Sequence, residues 1–227
     1  RSSHKTPTPR GGGIAFVATS LIGFLLLLLN TSLNKTDLFA LCCAGVIVAI
    51  AGHLDDRQKI SGATVRLVLH AISAIILIVG VGIPTKLELF DRTVNTGIVS
   101  SILGVLYLVW LLNLFNFMDG IDGIAATQAI SVLVGGALCH WLAGSQSDLA
   151  LLALLLAAAC AGFLCLNWPP ARIFMGDSGS AFLGFAIAAM ALYSAKGDTP
   201  LFWCWVLLMG VFVVDATLTL CRRVLNG

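Results

Sequence analysis

The chain has 227 residues, 59% of them hydrophobic and 11% charged, with a mean hydropathy of +0.99. So little polar material cannot clothe a water-facing exterior, which excludes a soluble globular domain. A net charge of +2 without any basic run gives no support for a nucleic-acid partner.

Residues 1–13, which include Lys5, Thr8, Arg10 and the run Gly11–Gly13, are polar and rich in Pro and Gly, so they read as a turn-rich segment. Apolar runs then follow one another, each long enough or nearly so to cross a bilayer as a helix. The expected spans are Ile14–Leu29, Leu38–Leu54, Val65–Ile83, Ile98–Phe115, Ile124–Ala143, Leu149–Leu166, Ala181–Ala195 and Leu201–Cys221. The fold class is therefore an all-α, polytopic transmembrane protein of about eight spans, read as a single integral-membrane domain over 1–227. Seven cysteines fall within or at the ends of the apolar runs and form no CxxC pair, so they read as small packing residues.

Eight alternating crossings put residues 1–13, 55–64, 115–123, 167–180 and 222–227 on one side. Arg1, Lys5, Arg10, Arg57, Lys59, Arg66, Arg172, Arg222 and Arg223 lie on or beside that side, against Lys35, Lys86, Arg92 and Lys196 opposite. Basic loops mark the cytoplasmic face, so the first set of loops is expected there.

Every polar motif also falls in that set. Asn113, Asn116, Asp119 and Asp122 recur every third residue, and continued helix or 3₁₀ geometry would keep them on one side, with Gly120 and Gly123 open to a ligand. A polar helix end capped by Asp and Gly is the plainer reading. Asp55-Asp56 is an adjacent acidic pair that repels unless a cation or proton relieves it, or unless solvent screens it. Gly176-Asp177-Ser178-Gly179-Ser180 places an acid and two hydroxyls before a span, as a phosphate-binding start or an ordinary N-cap. Oxygen-rich acids without thiol or imidazole spacing suit Mg²⁺, with Mn²⁺ as the alternative. Lys5, Arg10, Arg57 and Lys59 add cations. His70 and His140 sit inside spans and read as helix-packing residues, while His4 and His53 lie nearer the motifs. Asp215, inside the last span, reads equally as a functional acid or an ion-pair partner of Arg222.

Four segments in series, Lys5-Thr-Pro-Thr-Pro-Arg-Gly-Gly-Gly, Gly52-His-Leu-Asp55-Asp56-Arg57, Asn113-x-x-Asn116-x-x-Asp119-Gly-x-Asp122-Gly and Phe174-Met-Gly-Asp177-Ser-Gly-Ser, resemble the polyprenyl-phosphate N-acetylhexosamine-1-phosphate transferases, glycosyltransferase family 4. The wording of the first segment is closest to the O-antigen-initiating branch. The resemblance implies transfer of sugar 1-phosphate from a UDP-N-acetylhexosamine to undecaprenyl phosphate with release of UMP. It implies a Mg²⁺ held by Asp177 and Asp55, catalytic roles for Asp55, Asp56, Asp119 and Asp122, and substrate contacts from Lys5, Thr8, Arg10, Arg57, Asn113 and Asn116. A homodimer is one option for its assembly. It also leads us to expect a further span before residue 1, and a His-containing loop with at least one span after residue 227.

Two other classes compete. The CDP-alcohol phosphotransferases need an Arg shortly after Asp-Gly, where this chain has Asp122-Gly-Ile-Ala-Ala-Thr. An ion or solute transporter would place its charges near mid-membrane, whereas these acids gather at one face.

Overall fold

The computed structural model describes residues 8–27, 29, 33–58, 62–84, 86–89, 92–145 and 147–225. Nearly all of them are helical, because backbone N–H and C=O groups in a bilayer must bond within their own segment. In chain order the elements are α1 (Gly13–Leu27), α2 (Lys35–Asp56), α3 (Ala63–Val81), β1 (Lys86–Leu89), β2 (Arg92–Asn95), α4 (Ile98–Met118), α5 (Ile124–Leu142), α6 (Ser147–Asn167), α7 (Asp177–Gly197), α8 (Thr199–Leu208) and α9 (Gly210–Leu225). The strands form an antiparallel hairpin with Leu87 opposite Val94, in the stretch expected to be a plain loop.

Six helices, α2 to α7, are long and apolar enough to cross a membrane, and a seventh span results if α8 and α9 count as one. The eight crossings expected from the sequence require α1, with 15 residues, to span as well. The expected straight span Leu201–Cys221 is broken, because α8 and α9 meet at 58°. The seventh span, expected to be short, runs for 21 residues from Asp177.

Helix ends carry the other differences. α2 continues through Asp55 and Asp56, so the acidic pair occupies a last helical turn instead of a loop. α4 continues to Met118, which makes Asn113 and Asn116 helical and leaves only 119–123 as a connection. At the other end of α2, Asn34 caps the helix by accepting the Thr36 N–H at 3.0 Å.

α7 is the axis of the bundle. From Ser178 to Ala195 every residue except Tyr193 is buried, and α1, α2, α4, α5 and α8 pack around it. Lipid gives little hydrophobic drive for helices to associate, so close approach of small residues carries the packing. A Cβ on Gly13 of α1 would come within 2.5 Å of Gly179 Cα on α7. At the end of the bundle away from the motifs, Lys196 Nζ donates to Asp37 Oδ2 at 2.6 Å and to the Val81 carbonyl at 2.7 Å, joining α7 to α2 and α3. His140 is buried there with its Nε2 2.8 Å from Ser194 Oγ, a packing and hydrogen-bonding position.

Candidate active site

The motif segments meet at the opposite end of the bundle. Residues 9–13 lie along the segment that precedes α7: Phe174 N–H donates to Pro9 O at 2.9 Å, Gly12 N–H to Phe174 O at 3.0 Å and Gly13 N–H to Met175 O at 2.9 Å. The three direct bonds bring this stretch so close to its neighbours that a Cβ on Gly12 would lie 2.7 Å from the Phe163 ring, which explains the glycines there. Arg10 and Thr8 are thereby held beside the start of α7, with Arg10 exposed. Lys5 lies outside the described residues.

Asp56 joins α2 to α7. Its Oδ1 accepts the Asp177 N–H at 2.9 Å and its Oδ2 the Ser178 N–H at 3.3 Å, so a carboxylate from a distant helix takes the place of a side-chain cap. Gly176 precedes α7 with φ +79°, and a Cβ there would lie 2.7 Å from Asp56 Oδ2. Asp55, next in the same turn, pairs with Arg66 of α3, whose Nη1 is 2.5 Å from Asp55 Oδ2 and 3.7 Å from Asp177 Oδ2. Three helices thus present Asp55, Asp177 and Arg66 to one another.

Asp119 follows α4 as its C-cap and faces the same cluster. Burial pushes its carboxyl up to about 7, the charges of Asp177 and Asp56 add to that rise, and Arg10 opposes it. The cluster therefore carries more negative charge than Arg66 and Arg10 relieve. Ser178, immediately after Asp177, keeps a buried hydroxyl without a hydrogen-bond partner.

The every-third-residue stripe does not survive folding. Asn113 Nδ2 donates to the Val109 carbonyl of its own helix at 2.7 Å. Asn116 Oδ1 lies 3.3 Å from Ser180 Oγ on α7, so it ties α4 to the same helix start. Asp122 Oδ2 accepts the Ala171 N–H at 2.9 Å. The chain leaves helical geometry after Met118, and past that point a spacing of three no longer fixes a common face. Asp55, Asp56, Asp119, Asp177 and Asn116 are brought together, while Asn113 bonds within α4 and Asp122 bonds to the segment before α7. Arg57 is the exposed C-cap of α2, and Asp215 is exposed on α9.

Two site residues were not singled out by sequence reasoning. Arg66 counted only as one of several basic residues near the motif side, although an arginine in the first turns of an apolar helix is itself a signal. Asn167 closes the loop behind the site: its Oδ1 accepts the Gly123 N–H at 2.9 Å and its Nδ2 donates to Ile173 O at 2.8 Å. Nothing in its sequence context distinguishes it from a helix-end residue.

All candidate ligands are hard carboxylate oxygens with surplus negative charge, which suits Mg²⁺. Among the described residues no three His, Cys, Asp or Glu side chains form a ready metal cage. Mg²⁺ commonly takes one or two carboxylates and completes its shell with water and substrate phosphates, so this donor set fits a metal brought in with a nucleotide.

A bundle of apolar helices with carboxylates and a guanidinium gathered at one end defines a multi-pass membrane protein with a candidate site at that end. The chain belongs to glycosyl transferase family 4, whose description matches residues 38–195. It is 32% identical over 233 residues to the probable undecaprenyl-phosphate N-acetylglucosaminyl 1-phosphate transferase of Bacillus subtilis (strain 168), covering 100% of this chain and 63% of that protein. It is 31% identical over 214 residues to the decaprenyl-phosphate N-acetylglucosaminephosphotransferase of Mycobacterium tuberculosis, covering 86% of this chain and 52% of that one. A phospho-N-acetylmuramoyl-pentapeptide-transferase of Geobacillus sp. (strain WCH70) is 30% identical over 238 residues, with 98% and 70% covered. The chain thus spans roughly half to two thirds of the length of the curated relatives it matches.

Proposed function

We propose that the protein transfers N-acetylhexosamine 1-phosphate from a UDP-sugar to a polyprenyl phosphate, undecaprenyl phosphate in a bacterial inner membrane, and releases UMP. An oxygen of the lipid phosphate forms a bond to the sugar-bearing phosphorus of the UDP-sugar. The bond from that phosphorus to the bridging oxygen breaks, and the electron pair leaves on UMP. The product is a polyprenyl diphosphate sugar, the starting unit of an envelope polysaccharide, with the O-antigen as one such polymer. The single observation that supports this reading is the meeting of Asp55, Asp56, Asp119, Asp177 and Arg66 at one end of the bundle, in a chain of this family.

Asp177 and Asp55 would hold a Mg²⁺. When bound, the ion offsets charge on the diphosphate and on the leaving UMP. Arg66 is placed to bind a phosphate oxygen, since guanidinium and phosphate match in geometry and charge. Asp56 fixes the start of α7 and so the direction of Asp177. Asp119, with its carboxyl held up near neutrality, can carry a proton close to the phosphates at working pH. The basic bias of the motif loops supports a cytoplasmic orientation for this end of the bundle, the side on which UDP-sugars are made.

The test uses the full-length protein in detergent with undecaprenyl phosphate, Mg²⁺ and a panel of radiolabelled UDP-N-acetylhexosamines. Labelled lipid formed together with an equal amount of UMP is the expected result. Solute flux without lipid-linked product, or product without UMP, would overturn the reading.

A further inference from the structure

His70 is fully buried, and neither of its ring nitrogens has a hydrogen-bond partner. Buried polar groups are almost always paired, because an orphaned donor loses its bonds to water and gains none. Packing accounts for the burial but not for the imidazole, since leucine or methionine fills a helix interface without that cost. His70 stands one turn beyond Arg66 on the same face of α3, and Arg66 is the group that pairs with Asp55.

Arg66 is itself a shared group. It pairs with Asp55, reaches toward Asp177, and keeps 28% of its side chain exposed, open to an arriving anion. A phosphate competes with Asp55 for that guanidinium, because arginine–phosphate bonds are among the strongest an arginine makes. Once Arg66 turns, the Asp55 carboxylate loses the hydrogen-bond donor that fixes its orientation. A neutral imidazole carries one ring N–H in either tautomer.

We propose that His70 is a positioning residue, which donates its ring N–H to the Asp55 carboxylate when Arg66 swings to the phosphate of the lipid substrate. Asp55 then keeps its place through the transfer. The inference rests on the transferase reading above and specifies how the acidic pair tolerates the second anion. No bond is made or broken and no proton changes owner in this step.

The test uses the full-length protein with His70→Leu, His70→Met and His70→Gln. Gln retains a donor and an acceptor, whereas Leu and Met retain volume only. His70→Leu should unfold at the wild-type temperature or higher, keep its KM for polyprenyl phosphate within about twofold and lose about tenfold or more in kcat. His70→Gln should recover most of that kcat. Wild-type kcat in His70→Leu, or equal losses in the Leu and Gln variants, overturns the proposal; if His70→Leu does not fold, His70→Met is judged by the same criteria. A second readout is independent of turnover. In ¹⁵N-histidine spectra, the signal lost in His70→Gln should shift in the wild-type protein when dodecyl phosphate is added, and should stay unmoved in Asp55→Asn. Failure of dodecyl phosphate to bind, or an unmoved wild-type signal, overturns the proposal. If the transferase reading fails, the wild-type protein makes no lipid-linked product from any UDP-sugar, and the spectra still decide on His70.

Discussion

The carboxylate of Asp56 caps the helix that Asp177 begins, accepting the Asp177 N–H at 2.9 Å across 121 residues of sequence. One acid therefore sets the position of another. Asp56→Ala should lower stability by about 1–2 kcal/mol, the usual cost of losing a helix cap, and should lower turnover much more than that loss alone would. Thermal unfolding in detergent alongside kcat measures both. An Asp56→Ala variant with wild-type kcat would show that the cap is dispensable to the site.

Gly176 offers a second route to the same contact. Its φ of +79° disfavours any L side chain by about 1–2 kcal/mol, and an added Cβ would press on Asp56 Oδ2. Gly176→Ala should lose stability and activity together. Gly120→Ala, where an added Cβ meets nothing within 4 Å, should leave the unfolding temperature within about a degree or two of wild type.

Asp119 makes stability depend on pH. Its folded-state carboxyl sits near 7, above the unfolded value, so the folded protein binds the extra proton between about 4 and 7. Stability contributed by the protonated form is present at the acidic end and lost as pH rises through 7. Asp119→Asn should therefore be more stable than wild type at pH 8, by an amount on the order of a few kcal/mol, and equal to it near pH 4. Unfolding temperatures across that range test this, and a constant difference at all pH values would show that Asp119 ionises normally.

Asp177→Asn tests the metal. Mg²⁺ with UMP should stabilise the wild-type protein, by about 2.7 kcal/mol at a hundredfold excess over Kd, and chelation should remove the gain. Asp177→Asn should fold and show little or none of this shift. A full shift in the variant would move the ligand assignment to other residues.

At the far end, Lys196→Met leaves Asp37 buried without its cation. Lys196 keeps 32% of its side chain exposed, so the loss should be about 1–3 kcal/mol, and the Asp37→Asn/Lys196→Met double variant should recover part of it. Because this pair is remote from the acidic cluster, kcat at low temperature should hold while the unfolding temperature drops.

Much of this arrangement is written locally in the chain. Long apolar runs set the helices, and charged or Gly-rich breaks set their alternation, so the common placement of Asp55, Asp119 and Asp177 followed from counting crossings. Local signals could not report what a side chain meets from another helix. Asp56 as a cap for α7, Arg66 as the bridge, and Asn167 as the clamp on Gly123 depend on partners 44 to 122 residues away or on separate helices. The Asn/Asp spacing misled for a related reason: a periodicity marks a face only while the helix lasts, and this helix stops at Met118. The kink between α8 and α9 likewise has no proline at the break; Met209 and Gly210 stand there, and an apolar run reads through them unchanged.

The burial of α7 bears on how the protein is made. A helix with almost no lipid-facing surface gains little from the bilayer itself, and α1 to α6 precede it in the chain. Until α7 is made, the faces of α1, α2, α4 and α5 that pack on it lack their partner. The acidic cluster cannot exist in that interim, because Asp177 and the N–H groups that hold Asp56 arrive with α7. Nascent chains halted before residue 177 would therefore lack both the Asp177 carboxylate and the N–H groups that hold Asp56. The order of synthesis thus keeps the charged cluster from forming until the helix that buries itself at the centre of the bundle is in place.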